Sequence, residues 1–361
     1  MASGPGSPSA KELPATCVVY GAGSFGRSLV GDLRTAGVDV VASFDAVVTD
    51  PDGDPPVCHP AQRPDLRELP VMLGVCNPEA DPHEIAGFLR SLGHTEIWSP
   101  VDAFAALGRA GRRREHYWLT WDVDLYARES ERISLARAQL ADARSVAIFS
   151  ALLEYRAGGR IEALPDADPS SLHYRPDDID FIDGPVALLD GGAYEGDTIR
   201  AYVEAGTAIE SVLAFEPDPG NFRRLARELA GHGSLRALAL PLALGRRTES
   251  LRFTADGTAA AAIAAEGAMS IQCVALDDVL HGWGPTHVKL DLEGAEPDAL
   301  IGMERLLATG RPCLVVSAYH RPDHLWTLLL QLAALDLGYR FHVRCYGEQC
   351  FDTVLYAIPE P

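Results

Sequence analysis

The stretch Leu188-Leu189-Asp190-Gly191-Gly192-Ala193-Tyr194-Glu195-Gly196-Asp197-Thr198-Ile199 decides the fold. An apolar run, PVALLDGG, enters a glycine-rich turn, and DTIRAYVEAG leaves it with helical spacing. Glycines at a strand-to-helix turn let backbone approach a ligand without a Cβ clash, and the new helix offers unpaired amides there. One element on, SVLAFEP is a second strand that ends at Glu216-Pro217. The end of that neighbouring strand lies beside the turn, where a carboxylate can accept both ribose hydroxyls of a nucleoside.

A glycine turn with an acidic partner suits NAD or S-adenosylmethionine. GGxxGD in place of GxGxxG favours the methyl donor, which has no pyrophosphate to cradle. The candidate cofactor residues are therefore Asp190, Gly191, Gly192, Ala193, Tyr194, Gly196, Asp197, Thr198, Glu216 and Pro217.

Outward from this stretch, strands and helices alternate from residue 185 to the end. LRALALPLAL reads as a strand, HVKLDLEG as a strand, EPDALIGMERLLATG as a helix and PCLVVSAY as a strand. FHVRCYG and DTVLYAIP read as a closing antiparallel hairpin. Strand alternation puts Lys289, Asp291 and Glu293 on one face, a costly set unless paired or functional. Asp291, Glu293 and His320 come at the carboxyl edge of the sheet, where open α/β folds bind ligands. A histidine there is suited to proton abstraction near neutrality.

Toward the N-terminus the same alternation recurs over residues 15–110. ATCVVY leads into Gly21-Ala22-Gly23-Ser24-Phe25-Gly26, and the following strand ends at Asp45. Gly21, Gly23, Gly26 and Asp45 are a candidate second nucleotide site, with a purely structural turn as the alternative. Cys76-Asn77-Pro78 ends a strand at the same edge and either lines a pocket or makes a turn. Residues 111–184 break the alternation with helical patterns and a Pro/Asp-rich end. They read as a helical connector that covers the mouth of the next domain, or as a plain linker. Residues 1–14, lacking an apolar stretch, read as a flexible tail. The fold class is α/β, with two Rossmann-like domains.

The chain has 361 residues, enough for two cores, and a formal net charge of -20. Such a field opposes binding to nucleic acid or to anionic membrane. Seven scattered cysteines without a CxxC suit a reducing compartment, so a cytoplasmic location is expected.

Six segments, LLDGGAYEGDTI, AFEPDPGNFRRL, VALDDVL, HVKLDLEGAEPDAL, LVVSAYHRPDHLW and DTVLYAIP, resemble the FkbM-type methyltransferases when taken in order. The resemblance covers residues 174 to the C-terminus. It implies a class I methyltransferase fold, S-adenosylmethionine as donor, and a hydroxyl of a sugar or natural product as acceptor. It adds Asp277 to the cofactor set and sets Asp291, Glu293 and His320 toward the acceptor. His320 or Asp291 is then the base, with Glu293 orienting. The same three residues are also a set that suits a divalent cation. A homodimer is compatible with the sequence. The competing reading is an NAD- or nucleotide-sugar-binding oxidoreductase or binding protein built on the N-terminal glycine motif, which lacks dehydrogenase machinery.

Overall fold

The computed structural model describes residues 9–233, 235–254, 262–263 and 269–360. All counts below refer to these residues. Residues 1–8 of the expected tail lie outside them. Residues 9–14 do not behave as a flexible tail. Ser9 is buried and donates to Asp102 at 2.7 Å, and Lys11 pairs with the same carboxylate at 2.8 Å.

The N-terminal domain comprises β1 (Thr16–Tyr20), α1 (Ser24–Thr35), β2 (Asp39–Phe44), β3 (Val57–Cys58), β4 (Val71–Leu73), α2 (Pro82–Ser91), β5 (Ile97–Trp98) and α3 (Pro100–Arg109). Its strands form one parallel sheet in the order β3-β2-β1-β4-β5. β1 and β4 are buried because helices cover both faces. Ser99 and Asp102 cap α3 reciprocally, each side chain taking the other's backbone amide.

The connector opens with a hairpin absent from the sequence reading, β6 (Glu115–His116) and β7 (Leu119–Thr120). Three helices follow: α4 (Leu125–Arg128), α5 (Ser130–Ala138) and α6 (Ala143–Gly158). This segment is anchored rather than loose. The Ser145 hydroxyl accepts from the Val343 amide at 3.0 Å, and Arg344, 2 % exposed, is clamped by the Asp178 carboxylate at 2.8–3.1 Å. The buried guanidinium has a partner, so burial is tolerated.

The C-terminal domain runs β8 (Val186–Gly191), α7 (Asp197–Glu204), β9 (Ile209–Phe215), α8 (Pro219–Gly231), β10 (Ala237–Leu240), β11 (Ala243–Leu244), β12 (Glu249–Thr254), β13 (Ala262–Ile263), β14 (Met269–Val274), α9 (Leu276–Val279), β15 (His287–Leu290), α10 (Glu296–Ile301), α11 (Glu304–Gly310), β16 (Cys313–Ser317), α12 (His324–Ala333), β17 (Tyr339–Cys345) and β18 (Thr353–Pro359). Seven strands form the main sheet in the order β10-β9-β8-β15-β16-β18-β17. All its pairings are parallel except those of β18 with β16 and with β17, as the closing hairpin anticipates.

Three elements differ from the sequence reading. LRALALPLAL is two strands in two sheets, β10 and β11, parted at Pro241, which has no amide to continue a ladder. EPDALIGMERLLATG splits into α10 and α11 at Gly302, whose backbone lies so close to Gly245 that a Cβ would sit 2.0 Å from its carbonyl oxygen. HVKLDLEG is strand only to Leu290, so Asp291 and Glu293 are not on one strand face with Lys289. The chain turns at Glu293 (φ +52°) and Gly294 (φ +101°).

Candidate active site

The site is built where β8, β9, β15 and β16 end. Gly192 has φ +72°, and a Cβ there would lie 1.8 Å from the Asp291 carbonyl oxygen. Only glycine lets the two strand ends meet so closely. The amides of Gly192 and Ala193 donate to the Phe215 carbonyl at 3.0 and 2.9 Å, which ties the turn to the end of β9. Gly196 (φ +89°) then starts α7.

Glu216 follows β9. Its Oε2 accepts the Tyr194 amide at 2.9 Å and its Oε1 the Asp218 amide at 2.7 Å, so the carboxylate stands against the glycine turn. Burial raises its pKa to about 7 against the opposing pull of these amides. It lines a cavity of about 260 Å³ together with Gly192, Tyr194, Asp197 and Pro217. Asp190, Gly191, Ala193, Gly196 and Thr198 shape the turn from behind this wall. Asp277 is elsewhere: its carboxylate accepts the amides of Arg305 and Leu306 at 2.6 and 3.0 Å and caps α11. Its assignment to the cofactor is corrected accordingly.

Lys289 resolves the cost of buried charge. Its Nζ lies 3.2 Å from Asp190 and 3.8 Å from Asp291 and donates to the Gly192 carbonyl at 2.6 Å. Burial alone would lower its pKa, but Asp190 and then Asp291 outweigh burial and keep it charged. Asp190 is completely buried, with its Oδ1 ion-paired to Lys289, so its charge is compensated behind the turn.

Asp291 and Glu293 line the cavity; His320 does not. His320 stands behind them. Its Nδ1 is 2.8 Å from Glu296, and its Nε2 is 3.3 Å from Asp291 and 3.6 Å from Glu293. Burial disfavours its charge, yet Glu296, then Asp291 and Glu293, outweigh burial and raise its pKa to about 9. At neutral pH it already carries a proton. It therefore clamps carboxylates and is a poor general base. Asp291 is held down to about 2: burial would raise it, but Lys289 and His320 prevail. A cation would find Asp291, Glu296 and His320 within 4.8 Å of one another, with Glu296 in the place expected of Glu293. Glu296 Oε1 is already engaged by His320 and the Leu292 amide at 2.7 Å, and a metal would have to displace the His320 proton.

Residues that sequence reasoning missed complete the walls. The Tyr174 hydroxyl donates to Asp291 at 2.7 Å, and His173 stacks on Tyr174 with ring centroids 3.7 Å apart. Both come from the connector and line the cavity, as do Asn221, Leu244, Tyr319 and Asp352. Burial and then Asp291 raise Asp352 to about 6.

At the N-terminal motif, Gly21 and Gly23 lie in the β1–α1 turn and Gly26 in the first turn of α1. A Cβ on Gly26 would come within 1.9 Å of the Gly21 carbonyl oxygen, so this glycine serves helix-to-strand packing. Asp45 is engaged on both oxygens: Oδ2 accepts from Ala22, and Oδ1 from Val47 and Val48, at 2.9–3.0 Å.

Residues 190–341 match the methyltransferase FkbM domain. The fold is similar to the crystal structure of a methyltransferase FkbM from Methylobacillus flagellatus KT, with 21% identity and a TM-score of 0.78 over 96% of this chain and 90% of that one. A precorrin-6y C5,15-methyltransferase from Geobacter metallireducens GS-15 is a remote neighbour (13% identity, TM-score 0.32, 50% of this chain and 82% of that one). No curated protein matches the sequence. The glycine turn and its acidic partner thus lie within residues 190–341, the segment that matches the methyltransferase FkbM domain, on a chain whose fold is similar to that of a solved methyltransferase FkbM.

Proposed function

We propose that the protein is an S-adenosylmethionine-dependent O-methyltransferase acting on a hydroxyl of a small molecule of sugar or natural-product type. The observation that carries this reading is Glu216, buried against the Gly192–Tyr194 turn and facing the same cavity as Asp291 and Glu293. The residues fit the donor: Glu216 for the ribose hydroxyls, the Gly192–Tyr194 turn, shaped from behind by Asp190 and Lys289, toward its methionine end, and Leu244 as an apolar wall. When bound, the donor supplies an electrophilic sulfonium methyl.

The chain's own residues then orient a hydroxyl and take its proton. Asp291, ionised and fixed by Tyr174 and Lys289, accepts a hydrogen bond from the hydroxyl but holds a proton poorly. Asp352, near 6, is better matched to receive one close to neutrality. Tyr174 and His173 help to close the cavity against water, which strengthens these interactions. The net charge of -20 favours a small acceptor over a nucleic acid.

Isothermal titration of the full chain with S-adenosylhomocysteine tests the reading. One site that is lost in Glu216→Ala is expected. No binding by the unaltered chain overturns it.

A further inference from the structure

Beside the donor cavity lies a larger one, about 680 Å³, that the methyl-transfer reading does not use. Its walls come from both domains and the connector. Ser24, Phe25 and Ser28 are on the first turns of α1, Asn77 follows β4, and Tyr117 is at the β6–β7 turn. Three wall residues, Glu293, Tyr319 and Asp352, also line the donor cavity, so the two spaces adjoin at the carboxylates. Its volume is that of an ordinary small-molecule site.

The chemistry of the wall is graded. An aromatic belt runs from one domain to the other: Phe25 to His116 at 5.1 Å between centroids, His116 to Tyr117 at 4.9 Å, Tyr117 to Phe351 at 5.4 Å, and Phe351 to Tyr319 at 5.8 Å. Tyr117 is held in the left-handed region (φ +51°) to join it. Carboxylates stand at the inner end and hydroxyls and an amide at the outer end. Positive charge is already spent. Arg114 is ion-paired to Asp32 at 2.6 Å, and His116 is kept neutral, lowered to about 4 by burial and then by Arg114. Such a wall suits a neutral ring with an apolar face and a hydroxylated edge.

We propose that the acceptor is seated in this interdomain cavity. The N-terminal domain and Tyr117 then select it, and the GAGSFG turn serves as its wall instead of a nucleotide site. The packing role of Gly26 and the engaged Asp45 carboxylate agree with this. The proposal rests on the methyl-transfer reading. An acceptor hydroxyl at the shared carboxylates would face the donor side. There the new C–O bond forms as the C–S bond breaks, the electron pair stays on sulfur, and the hydroxyl proton passes to Asp352.

The test is saturation-transfer NMR on the full chain saturated with S-adenosylhomocysteine, with phenyl β-D-glucopyranoside as the probe of ring and hydroxyls and NADH as the counter-probe. We expect the glucoside to bind, and binding to weaken about tenfold in Tyr117→Asn, which suits the positive φ, and in Phe25→Leu. S-adenosylhomocysteine affinity should stay within about twofold in both, because neither residue lines the donor cavity. If one variant fails to fold, the other decides. Absence of glucoside binding, glucoside binding indifferent to the variants, or NADH binding lost in Gly23→Arg overturns the proposal. A chain that fails to bind S-adenosylhomocysteine removes the methyl-transfer reading instead.

Discussion

The Tyr174 hydroxyl donates to the Asp291 carboxylate at 2.7 Å across 117 positions of sequence. The ring also lies under Lys289, whose Nζ is 5.2 Å from its centroid. The connector thus fixes a carboxylate that lines the cavity.

Tyr174→Phe keeps the packing and removes this bond. Turnover should fall about tenfold, with S-adenosylhomocysteine affinity within about twofold of the parent. Methyl-labelled donor and calorimetry measure the two quantities. An equal loss in both would assign Tyr174 to the donor site alone.

His320 should make stability depend on pH. Its folded pKa, about 9, lies above its ordinary 6.5, so its stabilisation is full below pH 6.5 and is lost as pH rises through 9. The shift corresponds to roughly 3 kcal/mol. Denaturant unfolding of His320→Gln should show a deficit of about that order near pH 6, shrinking above pH 9. A deficit that does not change with pH would show that the ring acts by packing.

Glu216 works in the opposite direction. Burial raises its pKa to about 7, so the ionised form, which the proposed function sets against the ribose hydroxyls, is scarce in acid. S-adenosylhomocysteine should bind more tightly as pH rises through 7 and level off above it. Glu216→Gln should bind more weakly and lose this dependence. Parallel pH profiles in the two proteins would contradict the assignment.

Asp277→Ala should separate cap from cofactor. Loss of the two amide bonds to α11 should cost about 1 kcal/mol in thermal or chemical unfolding, with unchanged S-adenosylhomocysteine affinity. A large loss of affinity would return Asp277 to the donor site.

What could be read from the chain was local. Gly192, Glu216, Asp291 and Glu293 follow strand ends and Gly196 opens the next helix, and such boundaries show in the run of apolar residues. His173, Tyr174, Asp352 and Tyr117 gave no such signal. Tyr174, Asp352 and Tyr117 have positive φ, and all four lie outside the regular strands and helices, so no periodicity marks them. His320 was placed at the correct edge, but its role was not legible, because Glu296 and Asp291 set its charge through space.

The α/β order, the strand-to-helix turn at Asp190–Thr198 and the acidic partner after β9 follow from sequence alone, because hydrophobic period and glycine sterics act between near neighbours. Three things belong to the tertiary structure: which carboxylates are ionised, how the connector enters the site, and where the two domains enclose a second cavity. Each depends on burial and distance between residues far apart in the chain, which no local pattern encodes.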